Sequence, residues 1–182
     1  ARGGLLEGDL RGRLGPGERR AVTLLGCELC ARCGARRPPA LRLLCGRFAQ
    51  LHAAAAGLPL ARSRVLPGVL LRRDFAAYCP AGGRLRAVLV TRCLRPVLTG
   101  PGVECAVRSE RQHRAALRWC GGRTEAVMEH LRSGGVRLLL SGVKQHEEVI
   151  FYAKLHGVSV VECLSSEEVA LISEIAGISP YD

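Results

Sequence analysis

The chain has 182 residues, 48% of them apolar, and a formal net charge of +11. This length is enough for one buried core. Its apolar stretches are shorter than the roughly 20 residues that a helix needs to cross a bilayer, so we expect no membrane span.

The positive charge is concentrated in the first two thirds of the chain. Residues 1–123 hold 23 basic side chains against 7 acidic ones, whereas residues 124–182 hold 4 against 9. Such a basic portion can attract phosphates or an acidic partner surface. However, 25 of the 27 basic residues are Arg and only 4% of the chain is aromatic. Because nucleic-acid readers combine basic clusters with stacking aromatics, we expect no nucleic-acid partner.

Residues 1–56 are rich in Arg, Gly and Ala and predict a helical flanking segment. One helix is expected over 18–29 and a second over 41–56, with a break at Pro38 and Pro39. From residue 57 the pattern changes to short apolar runs bounded by Gly and Pro. The runs 65–71 and 85–90 predict buried strands, and residues 95–107 predict a loop.

Two short helices are predicted next, over 109–119 and 124–133. Gly121 and Gly122 are expected to separate them, Thr124 to cap the second and Gly134 to end it.

The last third predicts a β-α-β-α unit. We expect strands over 136–140 and 158–163 and helices over 145–156 and 166–176. Ser165 and Glu168 have the spacing of a capping box, which favours a helix start there. A strand, a crossover helix and a strand in so few residues predict a parallel pair. The fold class is therefore α/β.

Three cysteines form a Cys-x-x-Cys-x-x-Cys run, Cys27, Cys30 and Cys33, and Cys45 could supply a fourth thiolate. Thiolates so spaced can bind zinc or an iron–sulfur cluster. On a helix, the same spacing simply places three small side chains on one face. Since no second Cys-x-x-Cys pair exists, we assign no metal. A Cys-ligated zinc module with a basic binding arm remains the alternative.

Catalytic signatures are absent from the sequence. There is no nucleophile elbow, dinucleotide fingerprint or phosphate-binding loop. Acidic pairs at 147–148 and 167–168 fall in the first turns of predicted helices, where they offset the helix dipole. We assign no catalytic residue, although an α/β enzyme with a site at the loop Ser141–Gly142 is a third interpretation.

The segment 142–177, GVKQHEEVIFYAKLHGVSVVECLSSEEVALISEIAG, resembles the part of group II chaperonin apical domains that follows the Gly-Ile-Asp turn. Residues 65–74, VLPGVLLRRD, and 85–94, LRAVLVTRCL, are similar to strands of that family. Among members of that family, chaperonin-like proteins resemble this sequence most over residues 57–75 and 158–172. The resemblance covers 57–182, as a C-terminally incomplete apical domain, and extends loosely to 1–56 as an intermediate-domain-like segment.

This resemblance implies a chaperone that assists the folding or assembly of ciliary protein complexes. Two apical helices, 145–156 and 166–176, would bind clients, and residues 95–132 would form the apical protrusion. The resemblance places ATP and Mg²⁺ in an equatorial domain, whose Gly-Asp-Gly-Thr loop is missing from this sequence. It also implies a cytoplasmic location near the centrosome or ciliary base. The implied partners are other chaperonin-like Bardet-Biedl syndrome proteins, ring chaperonin subunits and BBSome subunits.

Apolar residues on these two helices exceed what one core-facing stripe requires. From that surplus and the resemblance together, we predict four client contacts, Val149, Tyr152, Ala170 and Glu174.

Overall fold

The computed structural model describes residue 12 and residues 14–34, 38–99 and 105–182. The chain divides into two compact units, Ala1–Leu71 and Arg72–Asp182. The division expected at residue 57 lies inside the first unit, and the assignment of 1–56 and 57–182 to chaperonin domains stays a prediction. Within the described ranges, no helix combines the length and apolar character needed to span a membrane.

The first unit contains helices α1 (Pro16–Arg32) and α2 (Pro38–Leu51) and a 3-10 helix (Leu60–Arg62). The α1 helix was expected over 18–29, and the backbone N–H of Gly15 donates to the Glu18 carboxylate at its start (3.0 Å). The two prolines begin α2, because a helix's first residues need no intrahelical N–H donor. The α2 helix ends five residues earlier than predicted and has a non-helical residue at Arg47.

The strand predicted over 65–71 is wrong. The structure has neither strand nor helix there, and Gly68 adopts a positive φ of 96° next to Pro67. A proline has no N–H for a sheet ladder, and a positive φ turns the backbone out of the extended conformation. Leu66 and Leu70 are consequently exposed rather than buried.

The second unit is mixed α/β. Its elements are, in chain order, β1 (Arg86–Val90), α3 (Glu110–Ser133), β2 (Val136–Ser141), α4 (Glu147–Leu155), β3 (Ser159–Val161) and α5 (Ser166–Ala176). The strands form a parallel sheet in the order β1-β2-β3. The predicted β-α-β-α unit is therefore confirmed, although β3 is only half as long as expected.

The core of the second unit lies between the sheet and helices α3 and α4. Val90, Leu139 and Val160 alternate onto one face of the three strands and are essentially inaccessible. Met128 from α3 and Val149 and Ala153 from α4 belong to the same cluster. Burying each of the Val, Leu and Met side chains stabilises the fold by roughly 1.5–3 kcal/mol.

Helix α3 is continuous, so the interruption predicted at Gly121 and Gly122 is wrong. A glycine costs a helix about 1 kcal/mol relative to alanine. Here Cys120, Thr124 and Met128 are buried on one face and hold both flanking turns against the core. The Thr124 hydroxyl donates to the carbonyl of Cys120 (2.9 Å) and does not cap a helix. Gly134 ends the helix as predicted.

Each edge strand has a short additional pairing. Val160 of β3 forms an antiparallel bridge with Ala77, and Val90 of β1 forms a parallel bridge with Tyr181. The Ser159 hydroxyl accepts from the backbone N–H of Cys79 (3.0 Å) and donates to its carbonyl (3.1 Å). The predicted loop over 95–107 has no regular structure at 95–99 and 105–107, and its residues 100–104 lie outside the described ranges.

Gln145 joins the carboxyl ends of β1 and β2 to the start of α4. Its side-chain N–H group donates to the Arg92 carbonyl (3.0 Å) and to the Ser141 hydroxyl (2.7 Å), and its side-chain oxygen accepts from the Leu94 N–H (2.9 Å). Its backbone N–H donates to the Glu162 carboxylate (2.9 Å), just beyond β3. The Gln145 and Ser141 side chains are buried, so these hydrogen bonds have no competition from water.

Replacing Gln145 by Ala is expected to lower the free energy of unfolding of the second unit by about 2–4 kcal/mol. The substitution removes the side-chain partner of the Arg92 carbonyl and of the Leu94 N–H at a part-buried site, each at a cost of about 1–3 kcal/mol. Urea unfolding can be followed by the fluorescence of Trp119, the single tryptophan.

Gln112→Ala is the matched control. Its side-chain oxygen accepts one hydrogen bond, from the backbone N–H of Arg108, at an exposed site (2.8 Å). We expect it to cost less than about 1 kcal/mol. Equal losses in the two variants would show that the buried cluster has no special role.

Candidate functional site

Helix α4 presents an exposed apolar pair. Phe151 and Leu155 lie one turn apart and are 61% and 62% exposed. The opposite face of the helix is formed by Val149 and Ala153, which are fully buried. Glu147 and Lys154 are the other exposed residues of α4 and flank the pair. The helix therefore offers a small apolar surface with a charged group near each end.

The start of α4 is fixed by polar contacts. His146 precedes the helix, and its Nδ1 accepts from the backbone N–H of Glu148 (3.2 Å). The Glu148 carboxylate also accepts from Nε of Arg95 (2.7 Å), a half-buried ion pair. The hydrogen bond to Glu148 raises the pKa of Arg95, even though partial burial opposes the charged form. Together with Gln145, these contacts determine which face of α4 is exposed.

Helix α5 has the predicted bounds and the predicted capping box. The Ser165 hydroxyl accepts from the Glu168 N–H (3.2 Å), and the Glu168 carboxylate accepts from the Ser165 N–H (2.7 Å). Arg73 donates to the same carboxylate from Nε (3.1 Å) and Nη2 (2.9 Å). Gly177 ends the helix in the left-handed conformation, with φ 64°.

The pKa of Glu168 is lowered. Partial burial on its own would raise it, but the hydrogen bond from the Ser165 N–H and the contacts with Arg73 outweigh that effect. The carboxylate is thus held ionised at the positive end of α5.

The four predicted contacts fall in different environments. Val149 is fully buried in the core, so in this fold it cannot touch another protein, and that assignment is corrected. Tyr152 is half-buried, packs against the core and makes an edge-on ring contact with Phe151 (centroids 5.2 Å apart). Ala170 is half-buried and Glu174 is exposed.

Sequence reasoning missed Phe151 and Leu155. The signal was available, because two large apolar residues four positions apart lie opposite Val149 and Ala153. On α5, Leu171 is the buried residue, whereas Ile175 is 42% exposed.

The cysteine run does not converge on a metal site. Cys27 and Cys30 are exposed on α1, Cys33 is half-buried at its end, and Cys45 is exposed on α2. In the described parts of the chain, no three His, Cys, Asp or Glu side chains are placed to hold an ion.

The loop after β2 makes hydrogen bonds to other residues of the same unit. The Gly142 N–H donates to the Val90 carbonyl (2.9 Å), and the Val143 N–H donates to the Ser141 hydroxyl (3.2 Å). A side chain at Gly142 would contact Val169 of α5, 3.5 Å away. Both backbone N–H groups of this loop are therefore satisfied by acceptors within the fold.

Glu168→Gln is expected to lower stability by about 1 kcal/mol at pH 7, since it removes a charged cap and an ion pair. A carboxyl whose folded pKa lies below its unfolded value stabilises the fold above the unfolded value. That contribution disappears as the pH falls through the folded pKa.

The difference between wild type and Glu168→Gln should therefore shrink as urea unfolding is repeated from about pH 6 to about pH 3. Glu167→Gln, at an exposed position of the same turn, should retain the wild-type pH dependence. A stability difference for Glu168→Gln that stays constant with pH would contradict the assigned role of its charge.

No family model matches the chain. A mouse protein described as "BBSome complex assembly protein BBS10" is 43% identical over 97% of the chain, and the proteins of the same description from Pongo abelii and human are 40% and 39% identical over 97%. The chain spans about a quarter of the length of these relatives. It is therefore a homologue of the BBSome complex assembly proteins over that quarter of their length.

Proposed function

We propose that this chain contributes a protein-binding surface to a chaperonin-like protein that assists BBSome assembly. The observation that carries the proposal is the exposed pair Phe151 and Leu155 on α4. It is supported by the relatives, whose names describe BBSome complex assembly, and by the chaperonin resemblance of residues 57–182.

The pair has the properties of an interface anchor. Both side chains belong to a helix whose other face packs in the core. The helix backbone therefore has little conformational freedom to lose on binding. Full burial of a Phe or Leu side chain is worth roughly 1.5–3 kcal/mol. Glu147 and Lys154 beside the pair could supply polar rim contacts, which add specificity more than affinity.

Helix α5 contributes a second part of the proposed surface. Ala170 and Glu174 remain in it from the sequence prediction, and Ile175 adds exposed apolar area. Tyr152 is assigned a supporting role, because it packs under Phe151 and against the core. Val149 is not part of the surface.

The proposed partners are BBSome subunits, other chaperonin-like Bardet-Biedl syndrome proteins and ring chaperonin subunits, in the cytoplasm near the ciliary base. The chaperonin resemblance assigns ATP and Mg²⁺ to the equatorial part of such proteins, and we propose neither nucleotide binding nor catalysis for residues 57–182.

The test replaces both anchors, as Phe151→Ser with Leu155→Ser, and measures binding of the chain to individually purified BBSome subunits by biolayer interferometry. We expect the dissociation constant for at least one subunit to rise tenfold or more, equivalent to about 1.4 kcal/mol.

Leu85→Ser with Val107→Ser is the matched control, because both residues are exposed apolar side chains of the same unit outside α4 and α5. It should change binding less than twofold. If Phe151→Ser with Leu155→Ser keeps the wild-type circular dichroism spectrum and wild-type binding to every subunit, the assignment of the surface to α4 is wrong.

A further inference from the structure

The first half of α3 carries little of the core. Ser109 caps the helix by accepting from the Gln112 N–H (3.2 Å). From Glu110 to Trp119 every residue but one is exposed, and the first buried residue of the helix is Cys120. Nearly three turns of α3 are therefore presented to solvent. This segment lies outside the surface proposed on α4 and α5.

Three arginines form a basic stripe on this exposed half. Arg111, Arg114 and Arg118 have the spacing i, i+3, i+7, and all three are exposed. At 100° per residue they fall within about 60° of one another and extend over about 10 Å. The centre of the stripe lies about 110° around the helix axis from the centre of the face that buries Cys120, Thr124 and Met128.

Few carboxylates of the chain neutralise the positive charge of the stripe. Arg114 donates to the Glu110 carboxylate. Arg111 and Arg118 have no acidic residue three or four positions away, and among the described residues neither forms an ion pair with a side chain. Like charges at these spacings destabilise a helix by a few tenths of a kcal/mol per pair. The arrangement therefore costs helix stability, and carboxylates from another molecule would offset that cost.

Carboxylates of a protein fit the stripe better than other anions do. Interfacial membrane helices need one continuous apolar face beside the basic one, but the exposed apolar residues Leu117 and Trp119 lie about 160° apart around this helix. Single-stranded nucleic acid requires several stacking aromatics, and α3 contains Trp119 but no Phe or Tyr. A helix with carboxylates at i, i+3 or i+4 and i+7 presents them over the same length of about 10 Å as the three arginines.

We propose that the stripe Arg111–Arg114–Arg118 docks an acidic segment of a protein partner. The free energy of this binding is largely electrostatic, so the affinity falls as salt screens the charges. The docking is independent of the apolar pair on α4. Binding at the two surfaces is therefore weakened by different substitutions.

The test uses a fluorescein-labelled helical peptide with glutamates at i, i+3 and i+7, titrated with the 182-residue chain at about 50 and 300 mM salt and followed by fluorescence anisotropy. Arg111→Glu with Arg118→Glu should weaken binding at least tenfold and abolish its salt dependence. Arg84→Glu with Arg123→Glu makes the same charge change at exposed positions off the stripe and should weaken binding less than threefold. Phe151→Ser with Leu155→Ser should leave peptide binding unchanged.

Two results would overturn the proposal. Equal weakening by both charge-reversal pairs would mean that net charge alone attracts the peptide. Tighter binding to vesicles of phosphatidylserine and phosphatidylcholine, or to a 20-base-pair DNA duplex, than to the peptide would assign the stripe to a membrane or a nucleic acid.

Discussion

The buried side chain of Gln145 determines how helix α4 lies against the sheet. It satisfies two backbone groups of the segment after β1 and the hydroxyl at the end of β2, while its own backbone is held by Glu162 after β3. Unpaired polar groups at this depth would each cost about 1–3 kcal/mol. A rotation of α4 about its axis would displace Gln145 and break several of these bonds together. The exposed position of Phe151 and Leu155 follows from that restriction.

Local signals in the sequence predicted the C-terminal unit well. Helix α5 has the expected bounds because the Ser165–Glu168 box and Gly177 specify both of its ends within a few residues. β2 and its parallel pairing follow from a short apolar run with a glycine-bounded crossover helix. The approximate positions of α1, β1 and α4 were also predicted, because each has an apolar run or helix-favouring stretch with clear boundaries.

The sequence predictions fail at positions where the local structure is determined by contacts between distant parts of the chain or by the backbone properties of one residue. Gly121 and Gly122 stay helical because the buried turns on either side hold them, a tertiary effect that helix propensity does not include. Residues 65–71 have strand-like composition, but Pro67 and Gly68 cannot continue a ladder. Val149 was predicted as a contact from the surplus of apolar residues on α4 and from the chaperonin resemblance. Only the packing of α4 on the sheet distinguishes it from Phe151, since both residues favour burial equally well.

The account of function depends on α4 meeting another polypeptide through its outer face. Site-specific photo-crosslinking tests this most directly, with a photoreactive phenylalanine analogue at position 155 or, as a comparison, at the exposed position 85. On irradiation with purified BBSome subunits, the account predicts an intermolecular adduct at position 155 and none at position 85. Adducts at position 85 with none at position 155 would contradict it.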